Sequence, residues 1–208
     1  MPKLVIFDMD GTLINSVDCW VALFEKTFEK VGVCVPRNFL KSTFGREAPE
    51  ILHMLVTNGK TRQATDFFLN HQYEYIKNFK AFPHTRVVLH DLKRRGFLIA
   101  VATGNTRDLM HYFLKKFGLD EFVDFCICSE DVSRGKPDPE ILNRVLGHFS
   151  LKAADALYIA DSPTDLEAAK KAKIRVGIVT TGVLDRPGAL KLEPDYILSD
   201  IREVEKIV

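Results

Sequence analysis

KLVIFDMDGT, residues 3–12, joins a short apolar run to two acidic residues and a glycine. Continuous apolar runs rich in β-branched and aromatic residues are typical of strands buried on both faces of a sheet. Asp8 therefore stands at the carboxyl end of a predicted strand, and Asp10 follows two residues later. Gly11 permits a sharp turn there, and it lets the backbone approach a ligand closely.

Five further apolar runs and four helical patterns follow along the chain. The runs cover residues 97–102, 122–128, 156–160, 175–179 and 196–198. The helical patterns cover residues 86–95, 106–117, 139–149 and 163–172. Glycine ends the first two of these patterns and proline opens the last two, as is typical of helix ends. Strands alternating with helices predict an α/β fold, in which helices cover both faces of a parallel sheet.

The stretch from residue 17 to residue 79 differs, because it shows helical patterns and no strand pattern. It is too long for an ordinary connection and long enough for a small helical bundle. We therefore predict a helical unit at residues 16–80, inserted after the first strand. The core is then made of residues 1–15 and 81–208.

The polar residues that end the predicted strands should meet at one edge of the sheet, because ligands of open parallel sheets bind beyond the carboxyl ends of the strands. Asp8, Thr103 and Asp161 all occupy such positions. There Asp8 can attack phosphorus as a carboxylate nucleophile. Asp10 can protonate the leaving oxygen and then deprotonate the water that hydrolyses the aspartyl-phosphate. An isolated Asp-x-Asp pair also fits a solvated strand end with a capping carboxylate.

The segments around Thr103 and Lys136 supply candidate contacts to a phosphate group. The hydroxyl of Thr103 and the backbone N–H groups of Gly104 and Asn105 can hold phosphate oxygens next to a helix N-terminus. Lys136 lies in a stiff GKPDP loop, from which its ammonium can offset charge on Asp8 and on a phosphoryl group. The alternatives are an ordinary cap and turn for the first segment and a solvated lysine for the second.

The stretch ADSPTD, residues 160–165, supplies candidate metal ligands. Carboxylates of this kind bind Mg²⁺ together with substrate oxygens and waters. Asp161 and Asp8 would hold one ion, and Asp165 would be a weak ligand or would orient a water or Lys136. The alternative is an aspartate that caps a helix, followed by an acid in its first turn.

Within the inserted unit, Arg46 is a candidate for substrate binding. It follows a glycine and precedes Glu47, and it can bind a substrate carboxylate or second phosphate through two hydrogen bonds. The alternative is a surface arginine at a helix start. Five aromatic residues at near-helical spacing are predicted to form the interior of the unit. They are Phe67, Phe68, Tyr73, Tyr75 and Phe79.

The composition is that of an ordinary globular protein, with 208 residues, 46% hydrophobic and 27% charged. The net charge of +1 does not indicate a nucleic-acid partner. The four cysteines show neither zinc-ligand spacing nor the density of a disulfide scaffold. No apolar run reaches the roughly 20 residues needed to span a bilayer. We therefore expect no membrane partner and a cytoplasmic location.

Four motifs occur together: DMDGT from Asp8, ATGN around Thr103, GKPDP around Lys136 and ADSPTD around Asp161. In this set and order the chain resembles the haloacid dehalogenase superfamily, and within it the phosphoglycolate-phosphatase-like members. The resemblance implies a Rossmann-like core with a small α-helical cap. It implies Asp8 as nucleophile, Asp10 as acid and base, and Thr103 and Lys136 as phosphate contacts. It also implies Mg²⁺ held by Asp8, the Asp10 backbone carbonyl and Asp161.

Two positions depart from the pattern of that superfamily. Ala160 stands where many members have glycine, and Asn105 is one residue further from Thr103 than is usual. Asp10 indicates phosphoryl chemistry, because members that displace halide lack a carboxylate at this position.

The sequence thus predicts a Mg²⁺-dependent phosphatase for a small phosphorylated metabolite, acting as a monomer or homodimer. Two alternatives stay open. One is a phosphomutase, which uses the same nucleophile and returns the phosphoryl group to a sugar. The other is a non-catalytic, phosphate-binding regulatory protein on the same scaffold.

Overall fold

A computed structural model describes residues 2–208 and contains one six-stranded sheet and one two-stranded sheet. In chain order the strands are β1 (Leu4–Phe7), β2 (Ile14–Asn15), β3 (Lys80–Ala81), β4 (Leu98–Ala102), β5 (Phe125–Ile127), β6 (Ala156–Ala160), β7 (Arg175–Val179) and β8 (Tyr196–Leu198). The large sheet has the order β5-β4-β1-β6-β7-β8, and all its pairs are parallel. Strand β1 lies between β4 and β6, so the strand order reverses at β1: β4 and β5 follow on one side, and β6, β7 and β8 on the other. Such a reversal opens a crevice at the carboxyl ends of the strands.

Helices cover both faces of the large sheet. In chain order they are α1 (Val17–Val31), α2 (Arg37–Ser42), α3 (Ala48–Leu55), α4 (Thr61–Ile76), α5 (Thr85–Arg94), α6 (Arg107–Lys116), α7 (Glu140–Phe149), α8 (Pro163–Ala172) and α9 (Arg186–Leu192). Helices α5 and α6 pack in the hydrophobic cluster on one face, and α7, α8 and α9 pack in the cluster on the other. Within residues 2–208, no helix combines the length and the apolar character needed to cross a bilayer.

The alternation of side chains along β1 explains the two layers. Val5 and Phe7 point into one hydrophobic cluster, and Leu4 and Ile6 point into the other. All four are fully buried, as a strand with helices on both faces requires. The predicted α/β fold with a parallel sheet and two helical layers is therefore confirmed.

One predicted strand is longer than the observed one. The apolar run at residues 122–128 becomes strand only at Phe125–Ile127. Phe122 lies in a turn, where its backbone N–H donates to the carbonyl of Leu119 at 3.1 Å. It is still buried, because its ring packs into the core from that turn. Apolar character marks a buried residue and does not distinguish a strand from a turn beside it.

Helices α1 to α4 lie between β2 and β3, which form a short antiparallel pair. Their shared interior is aromatic: the rings of Trp20 and Phe68 stack at 5.7 Å, and those of Phe24 and Phe68 lie 4.7 Å apart. Phe79 is buried there as well, whereas Tyr73 is 59% exposed on the outer side of α4. The interior of the inserted helices is continuous with the α5 and α6 side of the core.

Candidate active site

The strand ends bring the predicted site residues to one edge of the sheet. Asp8 directly follows β1, Thr103 follows β4, and Asp161 follows β6. Lys136 lies in the loop between β5 and α7. The four side chains are at most 5% exposed, although they come from distant parts of the sequence.

Asp8 is part of a buried ionic network. The Lys136 ammonium donates to Asp8 Oδ1 and to Asp165 Oδ1, each at 2.6 Å. The Tyr158 hydroxyl donates to Asp165 Oδ1 at 2.6 Å and accepts from the Lys136 ammonium at 3.3 Å. Tyr158 and Asp165 thus contact the same ammonium group as Asp8.

Burial and the neighbouring opposite charge shift the pKa values of Asp8 and Lys136 in opposite directions. Burial raises the pKa of Asp8 to about 7, because desolvation outweighs the opposing effect of Lys136. Burial alone would lower the pKa of Lys136, but the neighbouring carboxylates of Asp165 and Asp8 raise it above its usual value. The lysine is therefore a fixed positive charge beside Asp8.

Asp10 lies two residues from Asp8 but is held by neutral donors. Its Oδ1 accepts from the Trp20 indole N–H at 2.8 Å and from the Ser16 hydroxyl. Its Oδ2 accepts from the Asn105 side-chain amide at 2.5 Å. Burial raises the pKa of Asp10, and these three hydrogen bonds oppose that shift. A carboxyl group with a raised pKa suits general acid and base catalysis near neutral pH.

Within residues 2–208, no lysine or arginine is paired with Asp161 either. Its Oδ1 accepts from the Thr12 hydroxyl at 3.2 Å, and its Oδ2 accepts from the Val183 backbone N–H at 2.7 Å. One carboxylate oxygen from each of Asp8, Asp161 and Asp165 lies within 4.8 Å of the others. Burial, followed by the charges of Asp8 and Asp165, raises the pKa of Asp161 well above its usual value.

This arrangement fits a divalent cation. Three buried acids share one ammonium group, and buried charges without partners are costly. An oxygen-rich site with excess negative charge is the kind that Mg²⁺ occupies. Asp165 already accepts hydrogen bonds on both oxygens, from Lys136 and Tyr158 on one and Ser162 on the other. Asp161 also accepts on both oxygens, but only from the neutral donors Thr12 and Val183. Because Asp165 is already paired with Lys136, Asp161 has the greater need of a cation.

Two glycines let the backbone close around Asp161. A Cβ atom on Gly11 would lie 2.2 Å from Asp161 Oδ2, and one on Gly182 would lie 2.0 Å from it. Gly11 also has a φ of 76°, which favours glycine. The glycine of the DMDGT motif is therefore required both for its turn and for the space that Asp161 occupies.

A cavity of about 280 Å³ connects these residues with the inserted helices. We call its polar side, at the sheet edge, the floor: Asp8, Asp10, Thr103, Asp161 and Asp165. We call its apolar side, from the inserted helices and the loop before α3, the roof: Trp20, Phe24, Phe44, Ile51 and Phe68. Lys136 lies beneath the floor and does not line the cavity.

The loop at residues 44–46 contacts the core directly. The Thr164 hydroxyl donates to the carbonyl of Phe44. Gly45 has a φ of 93°, and a Cβ atom there would lie 2.0 Å from Thr164 Oγ1. A Cβ atom on Gly104 would in turn lie 3.1 Å from the Gly45 carbonyl oxygen. The glycine after Thr103, unusual for the resembled superfamily, thus gives room to this loop.

The remaining predicted site residues fall into two groups. The backbone N–H of Asn105 donates to Thr103 Oγ1 at 3.1 Å, so these two residues form one turn beside Asp10. Arg46 lines the cavity but is ion-paired with Glu50 one helical turn further on. The structure thus brings all the predicted site residues to one cavity or directly beneath it.

Several residues that contact the site were not predicted from the sequence. Tyr158 and Thr12 contact Asp165 and Asp161, respectively. Ser16 and Trp20, at the start of the inserted helices, contact Asp10. One signal for Tyr158 was present, since it supplies the only side-chain hydroxyl in an otherwise aliphatic strand. Trp20 carried no comparable signal, because a buried indole reads simply as core.

The comparisons with known proteins agree with the four motifs. Residues 5–179 match the haloacid dehalogenase-like hydrolase family. Pyrophosphatase PpaX of Halalkalibacterium halodurans is 29% identical over 215 residues, covering 98% of this chain and 95% of that protein. Phosphoglycolate phosphatase of Neisseria meningitidis is 26% identical over 219 residues, covering 97% and 92%.

A crystal structure of a hydrolase from Pseudomonas syringae shares the fold, with a TM-score of 0.88 and 21% identity over 99% of both chains. The fold, the order of the motifs and the match over most of the chain all lead to the same conclusion. The chain belongs to the haloacid dehalogenase-like hydrolase family.

Proposed function

We propose that this protein is a Mg²⁺-dependent phosphatase that hydrolyses a small phosphomonoester through an aspartyl-phosphate on Asp8. The observation that supports it best is the buried carboxylate of Asp8 beside Lys136, with Asp10 two residues away at the same cavity. A nucleophile, a fixed positive charge and a carboxyl group with a raised pKa are the groups that this reaction needs.

In the first step, Asp8 attacks phosphorus and forms a P–O bond, while the P–O bond to the leaving group breaks. Asp10, in its protonated form, gives its proton to the departing oxygen. In the second step, Asp10 takes a proton from a water molecule, which attacks phosphorus and breaks the bond to Asp8. Inorganic phosphate leaves, and both carboxyl groups return to their starting states.

The neighbouring groups orient the phosphoryl group. The Lys136 ammonium offsets negative charge on Asp8 and on the transferring group. The Thr103 hydroxyl and the backbone N–H of Gly104 hold phosphoryl oxygens before α6, and the backbone N–H of Asn105 holds the Thr103 oxygen in place. We assign Mg²⁺ to Asp8, the Asp10 backbone carbonyl and Asp161. When bound there, Mg²⁺ would supply positive charge that offsets the charge of these acids and of the phosphoryl group. Asp165 acts by holding Lys136.

We further propose that residues 16–80 form a cap domain on a core of residues 1–15 and 81–208. The roof excludes water during phosphoryl transfer, and opening admits it for hydrolysis. Residues 13–17 and 80–83 contain β2 and β3 and act as hinges. Hydrogen exchange should then slow in both segments when a phosphate analogue binds. Identical protection with and without the analogue would count against this hinge.

The test of the function is phosphate release from a panel of phosphorylated metabolites, with Mg²⁺ and with EDTA. Release that requires Mg²⁺ and is lost in Asp8→Asn supports the proposal. Turnover of Asp8→Asn equal to wild type would overturn it. Product analysis separates a phosphatase from a phosphomutase, because free phosphate accumulates only with the former.

Metal binding has a separate test. Mg²⁺ should raise the melting temperature of the wild-type protein, and Asp161→Asn should abolish that rise. The proposal also covers the protein's surroundings. We propose a small phosphorylated metabolite as substrate, a cytoplasmic location and no nucleic-acid partner. We further propose that the protein is a monomer or a homodimer. Light scattering measures the oligomeric state directly.

A further inference from the structure

The cavity that contains the catalytic groups has an unusual distribution of charge. Its floor carries the acidic residues that would act on a phosphoryl group. Its roof is formed by aromatic and aliphatic side chains, where the leaving group of a bound ester would lie. A leaving group seated there would contact rings such as those of Trp20 and Phe68, which stack on each other at 5.7 Å.

Arg46 is the only basic side chain that lines this cavity within residues 2–208. Its guanidinium is already paired with the carboxylate of Glu50. Both side chains are partly withdrawn from solvent, with 25% and 39% exposure. A second anion on the substrate would therefore have to compete with Glu50 for its one positive partner.

Glu47 makes the same region still less favourable for an anion. It lines the cavity beside Arg46. Burial raises the pKa of Glu47, and the nearby carboxylates of Glu50 and Glu130 raise it further. The carboxylates of Glu47, Glu50 and Glu130 thus lie near one another beside Arg46, and a substrate anion brought there would be repelled.

An uncharged apolar leaving group meets none of these costs. It exchanges water for contact with the roof, at roughly 25 cal/mol per Å² of apolar surface buried. Aromatic rings gain further from stacked or edge-to-face contacts. Resting on the phosphatase function proposed above, we propose that the preferred substrates are phosphomonoesters with an uncharged leaving group that presents an apolar face. Esters with a second anionic group are then poor substrates, and so is pyrophosphate.

A matched pair of substrates tests this preference. 4-Methylbenzyl phosphate and 4-carboxybenzyl phosphate have similar shapes and similar leaving alcohols, and they differ by one negative charge. We expect kcat/KM for the methyl compound to exceed that for the carboxy compound by at least about tenfold. The kcat/KM values for phosphoglycolate and pyrophosphate should be as low as that for the carboxy compound. An equal or higher kcat/KM for the carboxy compound would overturn the proposal.

A variant tests the role assigned to the Arg46–Glu50 pair. Glu50→Gln should free Arg46 and raise the ratio of carboxy to methyl turnover by about two- to fivefold, the range expected for a partly exposed ion pair. The control is Glu25→Gln, which breaks an exposed pair with Arg37 elsewhere on the inserted helices. It should leave that ratio at the wild-type value. An unchanged ratio in Glu50→Gln would show that the Arg46–Glu50 pair does not disfavour a second anion on the substrate.

The two proposals fail in distinguishable ways. Asp8-dependent phosphate release from both benzyl esters at equal rates would leave the phosphatase standing and overturn the substrate preference. Absence of Asp8-dependent release from every ester would overturn both. The wild-type ratio needs no variant, so poor folding of Glu50→Gln would not prevent the test.

Discussion

The floor and the roof of the cavity are built on different principles. The floor consists of polar residues that follow strands β1, β4 and β6, together with Asp165 in the first turn of α8, and short hydrogen bonds such as that from Lys136 to Asp8 at 2.6 Å fix them. The roof consists of apolar side chains on the inserted helices and, at Phe44, on the loop before α3. Within residues 2–208, Trp20 is the only one of them that hydrogen-bonds to a reacting group. Under the proposed function, the sheet edge supplies the reacting groups and the inserted helices select the substrate. Changes in the floor should slow all substrates, and changes in the roof should alter their ranking.

The largest effect is expected where the floor and the roof meet, at Asp10. Asp10→Asn removes the proton donor, so turnover of an alkyl phosphate should fall about 1000-fold. 4-Nitrophenyl phosphate needs little protonation of its leaving group, so its first step should persist. A burst of nitrophenolate near one equivalent, followed by slow turnover, is the expected readout.

The control for this change is Asp18→Asn, an acid on α1 whose side chain is 74% exposed. It should turn over both substrates at nearly the wild-type rate. Equal losses on the alkyl and the nitrophenyl ester, with no burst, would contradict a proton-transfer role for Asp10.

A change directly beneath the floor comes next. Lys136→Met leaves the carboxylates of Asp8 and Asp165 buried without their shared cation. Breaking a buried ion pair costs about 3 kcal/mol of unfolding free energy, and kcat should fall about 100-fold for all esters. Denaturant unfolding in EDTA measures the loss of unfolding free energy, and steady-state kinetics measure the fall in kcat.

Lys93→Met is the matched control, because Lys93 pairs with Asp124 on the surface. Its loss should cost less than about 1 kcal/mol. Lys136→Met should also keep the wild-type ratio of methyl to carboxy turnover. A changed ratio would mean that the floor takes part in substrate selection, which the proposal assigns to the roof.

The floor could be predicted from the sequence and the roof could not, for a physical reason. Asp8, Thr103 and Asp161 each end an apolar run, and parallel strands bring such ends together whatever their distance in sequence. Helical residues such as Phe24 and Phe68 are spaced for burial, and the same spacing serves a bundle interior or a cavity wall. Only the packing of α1 against α4 shows that they do both.

The same limit applies to partners that depend on packing. The single hydroxyl of its strand marks Tyr158 in the sequence, but its contact with Asp165 could not be deduced, and neither could the Arg46–Glu50 pair. Each of these contacts depends on the rotamers of two side chains. The pair β2 and β3 was also missed, since two-residue strands leave no periodic pattern.

A smaller effect is expected at the contact between the loop of residues 44–46 and the core. Gly45→Ala places a methyl group against the Thr164 hydroxyl and should displace the loop, which lowers kcat/KM about tenfold. Gly59→Ala is the matched control. Gly59 also has a positive φ, at 77°, but a Cβ atom there meets nothing within 4 Å. Both variants carry backbone strain, so only the difference in kcat/KM between them reports on the contact. Equal kinetics would show that docking of this loop does not matter for turnover.

The smallest effect is expected beneath the floor, at Tyr158. Burial, ahead of the charges of Asp165 and Asp8, raises the pKa of Tyr158 well above its usual value, so the hydroxyl stays protonated and donates to Asp165. Tyr158→Phe removes that donor but keeps the ring and both ionic contacts of Lys136. We expect kcat to fall about threefold, with a loss of about 1 kcal/mol in unfolding free energy.

The control for this change is Tyr196→Phe. The Tyr196 hydroxyl accepts a hydrogen bond from Arg175 at 3.4 Å, away from the cavity. It should not alter kcat. If Tyr158 acts by holding Asp165 and Lys136 in place, its loss should lower kcat equally for the methyl and carboxy esters and leave KM unchanged. A change in KM for one ester alone would assign Tyr158 to substrate selection. Residues beneath the floor would then influence which substrate binds, and selection would not belong to the roof alone.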